Sequence, residues 1–342
     1  MTFQTVLTLG ASSKVRSRCV ARLTGIAATA AIAASFAFGT AAPVAAQEHG
    51  CAKVSGTLLG NAKRPNYTGT TSASLNPPLD VNAGQAFFEY MIKNRGDDRA
   101  MLEQKWNRYV ALVRVKDLTG DREKRAFLVT PREEFSRTRD ANNTYLAGFL
   151  DIGCGVTISG SSIVAYMTQV LDVKPGEKAL EIGTGSGYQS AMLAQLTDKV
   201  FTIEIIPALG KFTDKLQTEL AKTNFGELGV IKRKIADGYY GWEENAPFDK
   251  IIVTAGIDHI PPPLLKQLKV GGIMLIPVGQ PGCQSVLKIT KELTADGKEV
   301  IKRHDIYENR RVTCARTTFV AFTKYDDKGQ TKARFGTKAE DK

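Results

Sequence analysis

Residues 178–188 read Lys-Ala-Leu-Glu-Ile-Gly-Thr-Gly-Ser-Gly-Tyr, and this stretch decides the fold. A short apolar run leads directly into three alternating glycines, Gly183, Gly185 and Gly187. Glycine suits such a place because the chain must turn sharply from a strand into a helix and bring backbone N–H groups close to a ligand. The pattern therefore predicts the first strand, turn and helix start of a nucleotide-cofactor site.

The glycine spacing limits which cofactor this is. A dinucleotide-binding turn reads G-x-G-x-x-G, whereas here the third glycine comes one residue early and Tyr188 follows it. The acid Glu181 stands two residues before the first glycine. G-x-G-x-G preceded by an acid is typical of sites for S-adenosylmethionine (SAM). We therefore predict that Glu181, Gly183, Gly185 and Gly187 bind SAM, and we disfavour an NAD-dependent oxidoreductase.

Helices and strands alternate regularly from Ile163 onward. The predicted strands cover residues 179–182, 200–205, 230–235, 250–254 and 272–277. The predicted helices between them cover residues 188–196, 207–222 and 262–268. A strand-rich end follows, at residues 285–290, 300–307 and 317–322. Such alternation predicts an α/β, Rossmann-like fold with a central, mostly parallel twisted sheet and helices on both faces.

Acidic and small residues stand where three of the later strands end. Glu204 follows the second strand, where a carboxylate accepts hydrogen bonds from both hydroxyls of a ribose. Asp237 and Gly238 close the third strand, where a carboxylate accepts the adenine amino group and glycine lets the ring approach. Thr254 closes the fourth, where small residues leave room for a methyl donor and its acceptor. Because open α/β sheets bind ligands at these strand ends, the combination predicts one cofactor site.

The first 46 residues are typical of a secretory signal peptide. Four basic residues precede an Ala-rich apolar stretch from Leu23 to Ala42, and Val44-Ala45-Ala46 supplies small residues before Gln47. We predict cleavage after Ala46, a periplasmic or secreted location and no stable membrane span afterwards. A membrane anchor, an organelle transit peptide and a cytoplasmic protein with a non-functional leader are the open alternatives.

Charge and cysteine content bear on partners and metals. Cleavage removes four basic residues and no acidic residue, so the formal charge falls from +11 to +7. The remaining charge is spread through mixed segments, which predicts a solvated surface rather than a nucleic-acid-binding one.

An even number of cysteines remains, which predicts disulfides with three possible pairings or, alternatively, buried free thiols. No pair has C-x-x-C spacing, so we predict no metal site; the cysteines are Cys51, Cys154, Cys283 and Cys314.

The chain is predicted to have five parts. The leader, residues 1–46, precedes an arm rich in Gly, Ser, Thr, Asn and Pro, residues 47–81, which is either flexible or ordered by contact with the rest of the protein. A helical N-terminal subdomain follows at 82–162, then the cofactor-binding domain at 163–323 and a polar, frayed tail at 324–342. The subdomain is predicted from apolar residues at helical spacing, namely Phe87, Phe88, Met91 and Ile92, then Leu102, Trp106, Val110 and Val113.

The chain resembles the protein-L-isoaspartate O-methyltransferase family over about residues 127–293. The most particular motifs are Pro131-Arg132-Glu133-Glu134-Phe135 and Thr157-Ile158-Ser159. The glycine turn, Ile203-Glu204, Asp237-Gly238-Tyr239 and the stretch from Leu268 to Gly279 extend the similarity. The resemblance implies a SAM-dependent methyltransferase fold and methylation of the α-carboxyl of isoaspartyl residues in damaged proteins and peptides, the first step of their repair to aspartate.

The resemblance also implies residue roles. Gly183, Gly185, Glu204, Asp237 and Gly238 hold SAM, while Thr157 and Ser159 line the methyl-transfer site as the catalytic pair. A carboxylate acceptor is already ionised at neutral pH, so the reaction needs alignment rather than a general base. The alternative for Thr157 and Ser159 is capping of the helix that begins before Ile163.

Some residues depart from the family pattern around the acceptor. Val156 stands where bacterial members usually have glutamine, Cys154 where they often have histidine, and Gly160-Ser161-Ser162 where the family usually has a proline. These changes leave an alternative open: an exported protein of methyltransferase fold with lost or changed acceptor specificity, which acts as a binding module or methylates another carboxylate. In either case we expect a monomer.

Overall fold

The computed structural model describes residues 67–136, 141–281, 283–308, 319–325 and 331–333. The predicted leader and residues 47–66 lie outside these described residues. No helix within the described ranges combines the length and apolar character that crossing a bilayer requires.

The N-terminal part is mainly helical. Its helices are α1 (Gly84–Arg95), α2 (Arg99–Arg114), α3 (Asp121–Val129) and α4 (Ala141–Thr144). Asp98 caps α2, since its carboxylate accepts a hydrogen bond from the Met101 N–H at 3.0 Å. The apolar faces of α1 and α2 pack together, with Phe87 stacked on Trp106 at 4.8 Å between ring centroids. Ile92 differs from its prediction because it lies on the solvent side, 41% exposed.

A small hairpin ends this part of the chain. Strands β1 (Leu150–Gly153) and β2 (Val156–Ile158) pair antiparallel, with Asp151 opposite Thr157. The turn between them has positive φ at three successive residues, Gly153, Cys154 and Gly155. The predicted helical subdomain, 82–162, therefore also contains a hairpin that was not predicted, because strands this short give no alternating pattern. Helix α5 (Ser161–Leu171) follows directly.

Residues 67–81 of the predicted arm are packed. Leu75 is fully buried, and Arg125 of α3 donates hydrogen bonds to the carbonyls of Ser72, Ala73 and Leu75. Of the two alternatives, an arm ordered by contact describes this stretch, because a long-range arginine satisfies its backbone and an apolar side chain anchors it.

The central sheet confirms the predicted fold class. After β3 (Lys178–Ile182) the chain runs through α6 (Tyr188–Ala194), β4 (Lys199–Glu204), α7 (Pro207–Ala221), β5 (Lys232–Ile235), β6 (Phe248–Val253), α8 (Pro262–Gln267), β7 (Leu268–Gln280), β8 (Cys283–Leu293) and β9 (Glu299–Asp305). The strand order is β5-β4-β3-β6-β7-β8-β9, parallel as far as β7 and antiparallel beyond. Its central strand β3 is buried on both faces, as parallel strands covered by helices are, and its one buried acid is Glu181.

The strand order places the site. From β3 the chain moves outward to β4 and β5, then crosses back to form β6 on the other side of β3. The carboxyl ends of β3 and β6 are neighbours, and the Thr254 N–H donates to the Ile182 carbonyl at 3.0 Å. Such a reversal opens a crevice where doubly wound sheets bind ligands.

The C-terminal residues differ in part from their prediction. Residues 319–322 form no named strand but run beside Gly256, whose N–H donates to the Val320 carbonyl and whose carbonyl accepts from the Phe322 N–H. Strands β10 (Thr323–Tyr325) and β11 (Thr331–Ala333) then pair antiparallel. The predicted frayed tail is therefore wrong at residues 331–333, where backbone pairing orders a polar sequence.

Candidate functional site

The glycine turn after β3 requires glycine at each of its three positions. Gly183, Gly185 and Gly187 have φ of 94°, 54° and 89°, a region that L-residues with side chains rarely adopt. A Cβ on Gly183 would also lie 2.4 Å from Thr254 Oγ1. The turn therefore fits tightly against the end of β6.

The backbone donors of this turn are used inside the fold. The N–H groups of Gly183 and Thr184 donate to the Ile203 carbonyl at 2.9 and 3.2 Å, and the Gly187 N–H donates to Thr184 at 2.8 Å. The Gly185 N–H donates to a carboxylate oxygen of Glu204 at 2.8 Å. The prediction that these N–H groups face a ligand is therefore wrong for four of them. These four donors are therefore not available to bind an anion.

Glu204 is held rigidly at the end of β4. One carboxylate oxygen accepts from the Gly185 N–H and the other from the Ile206 N–H at 3.0 Å. Burial raises the pKa of Glu204, although these backbone hydrogen bonds oppose the rise. A carboxylate oxygen has more than one acceptor site, so each oxygen can still accept a hydroxyl hydrogen from a ligand. Glu204 is thus preorganised to bind a diol.

Glu181 lies under the turn and is fully buried. The Thr202 hydroxyl hydrogen-bonds to its carboxyl group at 2.6 Å, and the Thr184 hydroxyl lies 2.6 Å from that of Thr202. Burial raises the pKa of Glu181 to about 8, and hydrogen bonds from Thr202 and Ser190 only partly offset this. At neutral pH this acid is therefore mostly protonated and forms an uncharged part of the pocket floor.

We expect Glu181 to make stability depend on pH. Its pKa is higher in the folded than in the unfolded chain, so the folded protein holds the proton more tightly and stability falls as pH rises from about 4.5 to 8. The loss amounts to about 2 kcal/mol between pH 6 and pH 8. Urea unfolding at both pH values should show it in the wild type and not in Glu181→Gln. Equal pH dependence in the two proteins would contradict the assignment.

Asp237, Gly238 and Thr254 complete the strand ends. Asp237 accepts a hydrogen bond from the Tyr239 N–H at 2.9 Å and so caps a short 3₁₀ turn. A Cβ on Gly238 would lie 2.4 Å from a methyl carbon of Ile182, so only glycine allows this close packing. The Thr254 hydroxyl lies 2.9 Å from the Ile182 carbonyl and 2.7 Å from that of Gly183, and it donates to them. Thr254 therefore locks the glycine turn to β6.

One pocket unites most of the predicted site residues. The space between its walls amounts to about 1080 Å³, part of it open to solvent. Gly187 and Asp237 border the pocket without lining it within the described part of the chain. The predicted residues that line it are Thr157, Ser159, Glu181, Gly183, Gly185, Glu204, Gly238 and Thr254.

Thr157 and Ser159 reach the pocket from the hairpin side. Thr157 lies on β2, and Ser159 lies between β2 and α5. The alternative that they cap α5 is wrong, because Gly160 occupies the N-cap position and no side chain bonds there. Both residues line the pocket opposite the glycine turn. The structure therefore brings the predicted acceptor residues and the predicted cofactor residues to one cavity.

Sequence patterns missed the apolar walls. Phe319 and Phe322 line the pocket from the chain segment that runs beside Gly256, and Ile163, Val164 and Met167 line it from α5. The only signal was the apolar run 319–322, which indicated a strand but not its neighbour. These walls keep water from a ligand and strengthen the electrostatic contacts made inside.

Of the four cysteines that follow the predicted leader, two are disulfide-bonded in the described part of the chain. Cys154, in the β1–β2 turn, and Cys283, at the start of β8, are each disulfide-bonded. Cys51 and Cys314 lie outside the described residues. The free-thiol alternative is therefore wrong for Cys154 and Cys283.

Comparisons with known proteins agree with this geometry. Residues 104–310 match the family model described as protein-L-isoaspartate(D-aspartate) O-methyltransferase. A protein-L-isoaspartate O-methyltransferase 2 of Polaromonas is 50% identical over 149 residues, which cover 44% of this chain and 68% of the relative. A protein-L-isoaspartate O-methyltransferase of Syntrophus aciditrophicus is 42% identical over 192 residues, 56% of this chain and 85% of the relative. The match to a protein-L-isoaspartate O-methyltransferase 1 of Cupriavidus necator, also 50% identical over 149 residues, covers only 55% of that relative's length.

A solved structure supports the fold. It comes from Plasmodium falciparum, is described as a protein-L-isoaspartate O-methyltransferase and contains S-adenosyl-L-homocysteine. The match has a TM-score of 0.52 at 22% identity and covers 64% of this chain and 97% of that one. At this identity the likeness establishes the fold alone.

Proposed function

Because this chain belongs to the protein-L-isoaspartate(D-aspartate) O-methyltransferase family, we propose that its pocket uses SAM to methylate the α-carboxyl of isoaspartyl residues in damaged proteins and peptides. The enzyme is thus a SAM-dependent protein carboxyl methyltransferase. The observation that carries this proposal is the single cavity lined by the glycine turn, Glu204 and the Thr157–Ser159 segment.

The residues present fit SAM. The two carboxylate oxygens of Glu204, each held by a backbone N–H, can accept hydrogen bonds from the two hydroxyls of a ribose. Gly238, which follows β5 and has no side chain, leaves room for the ligand at the pocket wall. The glycine turn, in which four backbone donors are used inside the fold, lets a ligand approach the backbone closely. Asp237, which borders the cavity, is the proposed partner of the adenine amino group. This set suits a nucleoside.

In the proposed reaction the main task of the protein is to align the acceptor carboxylate with the methyl group of SAM. Bound SAM supplies an electrophilic methyl group to a carboxylate oxygen. The acceptor carboxylate is ionised at neutral pH, so no residue needs to remove a proton. The Ser159 hydroxyl donates a hydrogen bond that orients the carboxylate, and Thr157 borders the same place. Holding the reacting groups in line supplies the main rate gain.

We expect Ser159→Ala to lower kcat about 10- to 100-fold while the affinity for S-adenosylhomocysteine stays within about threefold, because misplacing the acceptor impairs alignment without touching Glu204. Steady-state kinetics and calorimetry measure the two effects. Ser162→Ala is the matched control, since Ser162 lies one turn further along and does not line the pocket. Equal activity of Ser159→Ala and wild type would remove Ser159 from the mechanism.

The acceptor is tested by locating the product ester. Residues 47–342 are incubated with SAM and a peptide that carries one isoaspartyl residue and several other carboxylates, and the product is analysed by tandem mass spectrometry. The proposal expects the methyl ester on the isoaspartyl α-carboxyl. An ester on another carboxylate supports the alternative of changed acceptor specificity. No ester, with S-adenosylhomocysteine still bound, supports the binding-module alternative.

Export is the proposed fate of the chain. It is supported by the leader pattern in residues 1–46 and by the disulfide-bonded Cys154 and Cys283, since disulfides persist in oxidising compartments. Mass spectrometry of the protein from a periplasmic extract or culture medium should show Gln47 at the N-terminus. Recovery only from the cytosol, with the leader intact, would contradict export. The purified mature protein is expected to elute as a monomer.

A further inference from the structure

Arg132 is fully buried between two segments of the pocket wall. Its Nε donates to the Thr144 carbonyl at 2.8 Å, and its Nη2 donates to the Ser159 carbonyl at 2.7 Å. Thr144 is the last residue of α4, and Ser159 lines the pocket. The buried guanidinium of Arg132 therefore links α4 to the backbone of the Ser159 segment.

The same guanidinium also touches the cofactor side. Its central carbon lies 4.9 Å from the centroid of the Tyr188 ring. Tyr188 begins α6 directly after the glycine turn, and it lines the pocket. Arg132 thus contacts both the segment that presents Ser159 and the helix that follows the turn.

No carboxylate accounts for the charge of Arg132. Burial lowers its pKa and the cation of Arg108 acts in the same direction, whereas the hydroxyls of Tyr188 and Tyr145 only partly oppose this. The neighbouring Glu133 carboxylate is bonded by Tyr145 instead. Nη1 has no hydrogen-bond partner at normal distance among the described residues. An apolar side chain of similar volume would avoid the cost of burying this charge, so what arginine adds is geometry.

We propose that Arg132 is a positioning residue for methyl transfer, which fixes the Ser159 segment against the first turn of α6. The inference rests on the proposed function of the pocket. The planar guanidinium binds two carbonyls in fixed directions, which a lysine ammonium does not reproduce. Without it the Ser159 segment moves relative to the cofactor side, and a displacement of about 1 Å costs up to roughly 100-fold in rate.

The test compares Arg132→Met and Arg132→Lys with Arg95→Lys. Arg95 is equally buried in the same part of the protein, but it binds Asp97, Ser72 and the Val129 carbonyl, which do not line the pocket. We expect kcat to fall about 100-fold in Arg132→Met and about 10-fold in Arg132→Lys. The affinity for S-adenosylhomocysteine should stay within about threefold, because Glu204 holds the glycine turn independently. Arg95→Lys should lower the melting temperature without changing kcat per folded molecule.

Hydrogen exchange gives a second readout that does not depend on turnover. Amides of residues 156–160 should exchange faster in the Arg132 variants than in the wild type or in Arg95→Lys. Unchanged exchange, or a loss of kcat no larger than in Arg95→Lys, would overturn the proposal. If Arg132→Met does not fold, Arg132→Lys decides by the same two criteria. If the wild type itself does not methylate the isoaspartyl peptide, the proposed function fails, and exchange at residues 156–160 still decides whether Arg132 holds the segment.

Discussion

Replacing Glu204 by alanine is expected to lower the affinity for S-adenosylhomocysteine at least ~100-fold, because two charge-assisted hydrogen bonds to the ribose are lost at about 1.5 kcal/mol or more each. The same change removes the acceptor for the Gly185 N–H and for the Ile206 N–H. The glycine turn then loses the contact that fixes it to the end of β4. Isothermal titration calorimetry measures the loss directly.

The control for this change is another buried carboxylate, which does not line the pocket. Glu227 accepts a hydrogen bond from the Gln195 amide at 2.6 Å, and burial raises its pKa as it does that of Glu204. Glu227→Gln should bind S-adenosylhomocysteine like the wild type. Glu204→Ala with affinity within a few-fold of the wild type would show that the ligand does not reach this carboxylate.

Gly183→Ala is expected to abolish binding of S-adenosylhomocysteine and to destabilise the fold. The new Cβ would lie 2.4 Å from Thr254 Oγ1, so either the turn or the end of β6 must move. The backbone strain at a φ of 94° adds about 1–2 kcal/mol. The collision and the backbone strain both act at the carboxyl ends of β3 and β6, where the cofactor is proposed to bind.

Gly176→Ala is the control that separates the effect of backbone strain from that of the steric collision expected in Gly183→Ala. Gly176 has a φ of 80°, close to that of Gly183, but a Cβ there would meet no atom within 4 Å. Thermal unfolding should therefore show a loss of about 1 kcal/mol for Gly176→Ala, with normal ligand affinity by calorimetry. Normal affinity in Gly183→Ala as well would mean that the close fit between the turn and Thr254 has no role in binding.

The sheet could be predicted from the sequence because each of its parts has a local signal. The apolar run before Gly183 and the proline at the start of α7 fix a strand and a helix within a residue or two of their observed ends. Strand-end residues such as Glu204 could be assigned to one site because parallel strands share an edge. The predicted strand at 230–235 begins later in the structure, since 226–230 form a 3₁₀ turn.

What the sequence could not show depends on long-range contacts. The bond from the Gly185 N–H to Glu204 joins the turn after β3 to the end of β4, and it changes the expected role of that N–H. The wall formed by Phe319 and Phe322 lies beside Gly256, more than 60 residues earlier in the chain. Arg132 could be recognised as part of a family motif, yet its bond to the Ser159 carbonyl appears only in three dimensions.

The initial rate of methyl transfer to an isoaspartyl peptide, compared with that to the same peptide with normal aspartate, tests the central claim most directly. The substrates differ only in which carboxyl group continues the chain, so SAM binding affects both rates equally. The account predicts that residues 47–342 transfer methyl groups to the isoaspartyl peptide with saturation kinetics and not detectably to the aspartyl peptide. Equal rates on the two peptides, or no transfer to either under conditions where S-adenosylhomocysteine binds, would contradict it.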